Sequence, residues 1–123
     1  MTDPMTPAAL ADQAAEAIRS LNHATLRKGA GWEHPVDAYD VVGDLTRMAM
    51  MLPQAIQQCG KFFDDLADNG HVGVDGASTD DVPVMQAKVA ASLVNAASHA
   101  RQLFEQLGTA QAALSHATYV HGS

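Results

Sequence analysis

The chain has 123 residues, and its seven Lys and Arg against fourteen Asp and Glu give a formal net charge of −7 at neutral pH. A chain of this length has the size of one domain, so we expect residues 1–123 to share a single core. The acidic balance disfavours phosphate backbones and anionic membrane surfaces, so we predict no nucleic-acid partner and no membrane partner.

Cysteine usage and hydropathy indicate a cytoplasmic protein. Cys59 is the only cysteine, which excludes an internal disulfide or a site with several thiolates and fits a reducing compartment. No apolar run reaches the ~18 residues that a membrane-spanning helix needs. Residues 1–7 carry Asp3 and no Lys or Arg, unlike the positively charged start of a secretory signal.

The first predicted helix covers about residues 7–28. Thr6 is a typical N-cap residue, and Pro7 suits the first turn because its missing N–H costs no hydrogen bond there. Lys28 and Gly29 are typical of a helix end. The apolar stripe recurs every three or four residues and consists of Leu10, Ala14, Ala17, Ile18, Leu21 and Thr25.

The second predicted helix covers about residues 36–68 and begins after Pro35. Its apolar positions keep one helical phase through Pro53, which predicts a helix that is kinked or broken at this residue. The stripe consists of Val41, Val42, Leu45, Met48, Ala49, Leu52, Ala55, Ile56, Cys59, Phe62, Phe63 and Leu66. Cys59 lies on this stripe, so we expect a buried and inert thiol.

The third predicted helix covers about residues 82–118, after a flexible, glycine-containing loop at 69–81. Asp80 or Asp81 is the expected cap. The apolar positions alternate four and three residues apart, as in a heptad seam, and are Val89, Leu93, Ala96, Ala100, Leu103, Leu107, Ala110, Leu114 and Ala117. Alanine in the seam predicts a close helix contact that Ala100→Leu would overpack.

These patterns predict an all-α fold, an up-down bundle of three long helices, or of four if the second helix breaks at Pro53. The first helix is much shorter than the other two, so part of their apolar seam stays uncovered. We expect a second copy of the chain to cover it, which makes the protein a homodimer.

Candidate chemical residues are sparse. None of the six histidines, His23, His34, His71, His99, His116 and His121, are spaced as a helical zinc-ligand pair. Asp37, Asp40 and Asp44 share one helix face, where the helix dipole already favours a carboxylate. We therefore predict no catalytic residue, no metal site and no cofactor.

Four residues are candidates for binding a protein partner: Trp32, Met50, Met51 and His71. Trp32 is the only tryptophan and is expected either to cover the open end of the bundle or to anchor a partner. Met50 and Met51 lie beside Pro53, where exposed methionines would form an adaptable surface. His71 lies in the flexible loop.

Three stretches carry a resemblance to a known group of proteins. Leu21-Asn-His-Ala-Thr25, Tyr39-Asp-Val-Val-Gly-Asp-Leu45 and Leu52-Pro-Gln54 resemble signature stretches of small uncharacterised helical proteins of high-GC bacteria. The resemblance covers about the first half of the chain. It implies a helical fold and transfers no activity, ligand or site.

The function that these features favour is a non-enzymatic helical module for protein interaction or regulation. One alternative is a small-molecule or metal-binding protein with a site among His23, His99 and the Asp37, Asp40 and Asp44 face. A weaker alternative is an acidic mimic of nucleic acid that binds a basic partner.

Overall fold

The computed structural model describes residues 5–76 and 81–121. Three helices follow one another in this part of the chain: α1 (Pro7–Ala24), α2 (Pro35–Asp68) and α3 (Val82–Leu114). The predicted all-α class is confirmed, since the only β-type pairing in the described residues is an isolated bridge between Gly29 and Trp32. In the described part of the chain, no helix has the length and apolarity needed to cross a membrane.

The beginning of α1 follows the prediction and its end does not. The hydroxyl of Thr6 accepts a hydrogen bond from the backbone N–H of Ala9 at 3.1 Å, and Pro7 is the first helical residue. The helix ends at Ala24 and not at residue 28. The hydroxyl of Thr25 donates to the carbonyl of Leu21 at 2.9 Å, so it occupies a carbonyl of the last turn.

Helix α2 runs unbroken from Pro35 to Asp68 with Pro53 inside it. Of the two predicted outcomes at Pro53, a broken helix is therefore wrong, and the bundle has three helices. The helix begins one residue before the predicted start, because Pro35 itself adopts the first-turn conformation for which its fixed φ is suited.

Helix α3 begins at Val82 as predicted and ends at Leu114, four residues before the predicted end. The hydroxyl of Ser115 donates to the carbonyl of Ala112, a local bond that competes with helix continuation. Asp81 precedes the helix but makes no side-chain capping bond. The other predicted cap, Asp80, lies outside the described residues, as do positions 77–79 of the predicted loop.

Helices α2 and α3 form an antiparallel hairpin. Three contacts show the direction: Gly43 lies against Gln111, Gly60 lies against Leu93, and the amide of Gln86 donates to the carboxylates of Asp64 and Asp68, at 3.1 Å in each case. The buried residues in the described part of the chain are small or medium in size, and they are Thr46, Ala49, Val82, Ala97 and Ala100. Ala100, where the sequence predicts a close helix contact, is among them.

Helix α1 lies over one face of this hairpin without packing tightly against it. No Cα atom of α1 comes within 8 Å of a Cα atom in α2 or α3, although directly packed helices have axes only 8–10 Å apart. Side chains of the three helices enclose an apolar cleft of about 420 Å³. Its lining consists of Ala14, Ala15, Ile18, Leu45, Met48, Ala49, Leu52, Leu103 and Leu107.

Candidate interaction surface

The face of the hairpin that lies under α1 continues beyond it. Residues seven apart on a supercoiled helix lie on the same face, and Leu45 and Leu52 line the cleft under α1. The next two positions in that series are Cys59 and Leu66. The series that contains Met48 reaches Phe62 in the same way.

Helix α3 contributes to the same continuation. Leu103 lines the cleft under α1, and steps of seven toward the N-terminus of α3 reach Ala96 and then Val89. We call the five residues Cys59, Phe62, Leu66, Val89 and Ala96 the distal face. It lies on the half of the hairpin that leads to the α2–α3 connection, beyond the residues that line the cleft with α1.

The distal face is apolar, and two of its five residues are exposed to solvent. The side chain of Phe62 is 66% exposed, Cys59 is exposed, and Leu66, Val89 and Ala96 are half-buried. The predicted burial of Cys59 is therefore wrong. Helical periodicity assigns a residue to the apolar stripe, but it does not show whether another helix is long enough to cover that residue.

The whole chain also exposes more surface than is usual for its mass. A folded monomer of 12.9 kDa typically exposes about 6,300 Å², whereas this chain exposes 9530 Å². The residues outside the described ranges account for at most about 1,500 Å² of the difference, even if wholly solvated. The chain thus exposes more surface than a compact monomer of its mass.

A second cleft, of about 410 Å³, lies on the opposite side of the hairpin. Its floor includes Gly60, Val94 and Ala97, and charged side chains such as Lys61 and Arg101 lie at its edges. Val94 is 67% exposed, so its exposure matches that of Phe62 on the distal face. This cleft contains no residue of the distal face.

The four predicted partner-binding residues are not gathered into one surface. Trp32 is half-buried beside Lys28, Glu33 and His34, in a hollow before the second turn of α2. Met50 and Met51 are exposed at the middle of α2, roughly 22 Å along the helix from its start at 1.5 Å per residue.

His71 is also exposed, and its backbone N–H donates to the carbonyl of Leu66 at 2.9 Å. It follows the C-terminal end of α2, so the whole length of that helix separates it from Trp32.

Phe62, which the sequence interpretation placed in the core, is more exposed than either methionine. Its place on the apolar stripe gave no signal of this exposure.

Asp37 has a structural role at the start of α2. Its Oδ2 accepts hydrogen bonds from the backbone N–H groups of Glu33 at 2.9 Å and His34 at 3.0 Å. These two bonds favour the charged form and hold the pKa of Asp37 below its ordinary value of 3.8. The carboxylate is therefore occupied by the loop backbone.

The remaining candidates for a ligand site stay apart. Asp40 and Asp44 line a shallow hollow with Gln111, and Asp44 also lies 3.4 Å from the guanidinium of Arg47. His23 is on α1 and His99 is on α3. Among residues 5–76 and 81–121, no three or more His, Cys, Asp or Glu side chains are grouped as a metal site would require.

The segment after α3 returns to the start of α2, which the sequence did not predict. The ring of Tyr119 makes edge-to-face contacts with His34, at 4.6 Å between centroids, and with His121, at 4.9 Å. These contacts connect the C-terminal segment to the same turn that Asp37 stabilises. No spacing of residues in the sequence signals a contact between positions so far apart.

Comparison with known proteins adds no relative: no family model matches the chain, and searches of curated proteins and of solved structures found no match.

Proposed function

We propose that this protein is a non-enzymatic helical interaction module that works as a homodimer in the cytoplasm. The observation that carries the proposal is that the single chain leaves many large apolar side chains exposed, Phe62, Val94 and Leu103 among them. Only five of the described residues are buried, and none is a large side chain that is fully enclosed. Burial of apolar area is the main term that opposes chain entropy, so a second copy supplies what one chain lacks.

The two copies of the chain then form one rigid body, and their other surfaces remain free for a protein partner. Met50 and Met51 are exposed on α2, and methionine side chains adapt to partners of different shape. The three stretches that resemble small helical proteins of high-GC bacteria support a place in that group. We infer regulation or assembly through contact with another protein, with no chemical step.

Sedimentation velocity and size-exclusion chromatography with light scattering test the homodimer. We expect a mass of twice the chain mass at micromolar concentration, with dissociation on dilution. Since the uncovered surface is apolar, the dimer should persist when salt is raised, because salt screens charges and strengthens apolar burial. A strict monomer up to tens of micromolar would refute the proposal.

A further inference from the structure

We propose that the apolar cleft between α1 and the hairpin binds one uncharged lipophilic small molecule, which connects α1 to α2 and α3. This site is additional to the proposed homodimer, and binding there does not require a second copy of the chain. All three helices contribute to its walls, with Ile18 from α1, Leu45 from α2 and Leu107 from α3 among the lining residues. Ligand sites of helical proteins commonly lie between helices in this way.

The distance of α1 from the hairpin makes room for a ligand. No Cα atom of α1 lies within 8 Å of a Cα atom in α2 or α3, whereas the axes of directly packed helices are only 8–10 Å apart. No residue of α1 is buried. On the hairpin side of the cleft, Leu52 and Leu103 are 42% and 47% exposed. The apolar side chains of both walls therefore have surface left to bury against a molecule between them.

The lining of the cleft determines the chemistry of the ligand. Every described residue of its walls is Ala, Ile, Leu or Met, so no lining side chain carries a charge or an N–H or O–H group. A polar group that enters such a site loses its hydrogen bonds to water without replacement, and an ionised group loses more. The cleft therefore favours an uncharged, apolar ligand and discriminates against an anion.

The volume and the shape of the cleft suit a small molecule better than the surface of a protein. The cleft has a volume of about 420 Å³, and an apolar cavity of about 150 Å³ takes one benzene, so a molecule of roughly two to three rings fits. Helix α1 forms one wall, so the flat face of a partner protein would meet α1 before it reached the hairpin side. Met48 lies in the wall, and its flexible side chain can adapt to the outline of the ligand.

Two fluorescent probes with the same ring skeleton test the ligand class. N-phenyl-1-naphthylamine is uncharged, and 1-anilinonaphthalene-8-sulfonate is the same molecule with an added sulfonate. We expect one uncharged probe to bind per chain, at least about tenfold more tightly than the anionic probe. Fluorescence titration of the full chain measures both affinities, at high salt so that the net charge of −7 is screened.

A matched pair of substitutions on α1 tests the location of the site. Ala14 lines the cleft, whereas Ala17, one turn further along, is exposed and outside its lining. Ala14→Phe fills part of the cleft, so it should raise the dissociation constant of the uncharged probe by more than about tenfold. Ala17→Phe should bind the probe like the wild type. Without the probe, Ala14→Phe should unfold at a higher temperature than Ala17→Phe, because its ring packs between α1 and the hairpin.

Several results would overturn the proposed site. Equal affinity of the uncharged probe for the two variants would place the probe outside the cleft. Equal affinity of the wild type for the two probes would show adhesion to exposed apolar surface in general. A helical wild-type protein that binds neither probe would also overturn the site, and if that protein is a dimer, the second copy covers the cleft instead. A monomer that binds the uncharged probe supports the site and refutes the homodimer alone.

Discussion

The carboxylate of Asp37 shows how one polar residue organises the turn between α1 and α2. It accepts hydrogen bonds from the backbone N–H groups of Glu33 and His34, and the ring of His34 contacts Tyr119 from the C-terminal segment. The start of α2 and the segment that follows α3 therefore meet at one turn. A residue that looked like a metal-ligand candidate serves the fold instead.

Replacement of Asp37 by Asn should make the protein less stable at neutral pH and leave it unchanged in acid. The folded-state pKa of Asp37 is lowered from 3.8, so the unfolded chain binds the proton more readily. The stabilisation is present above pH 3.8 and is lost as the pH falls through the lower folded-state pKa. Urea unfolding at fixed protein concentration, over a pH series, measures the difference between the two proteins.

Asp44→Asn is the control for this pH series, because the carboxylate of Asp44 is exposed and its ion-pair partner is the exposed Arg47. Such surface pairs contribute little to stability. A difference between wild type and Asp37→Asn that did not shrink in acid would show that the hydrogen bonds to the loop backbone are not the cause.

At the scale of the helices, sequence patterns identified the three helices. They did not show where each helix ends or which of its residues another helix buries. Periodicity and proline positions identified all three helices, because both express the geometry of a single helix. The ends after Ala24 and Leu114 depend on hydroxyl bonds from Thr25 and Ser115. The exposure of Cys59 depends on whether another element packs over it, which no local pattern shows.

The contact between α2 and α3 should not tolerate a larger side chain at Ala100. This residue is 7% exposed, so Ala100→Leu must displace atoms of the facing helix and should lower the free energy of unfolding by about 1–3 kcal/mol. Ala91→Leu, on the exposed side of α3, should change it by less than about 0.5 kcal/mol. Urea unfolding followed by circular dichroism compares them, and equal effects would contradict close packing at Ala100.

At the scale of the whole molecule, α2 and α3 pack closely, whereas α1 makes only a loose contact with them. The small buried residues Ala49, Ala97 and Ala100 bring α2 and α3 together but contribute little transfer free energy. The larger side chains, such as Phe62, lie outside this contact. Stability of the folded chain should therefore depend on association.

The midpoint of thermal unfolding should rise with protein concentration. A folded state that binds a second copy is stabilised by mass action, and the unfolded chain is not. Circular dichroism melts over a hundredfold range of concentration would measure the shift. An unchanged wild-type midpoint across that range would contradict the link between folding and association.

The small size of the core has a consequence for the life of the protein in a cell. If a second copy covers part of its apolar surface, newly made chains stay open to proteases until their concentration allows them to pair. Synthesis below that level should yield chains that proteases remove, and synthesis above it should yield long-lived pairs. The exposed apolar side chains of the single chain would thus set a minimum concentration below which the protein does not persist.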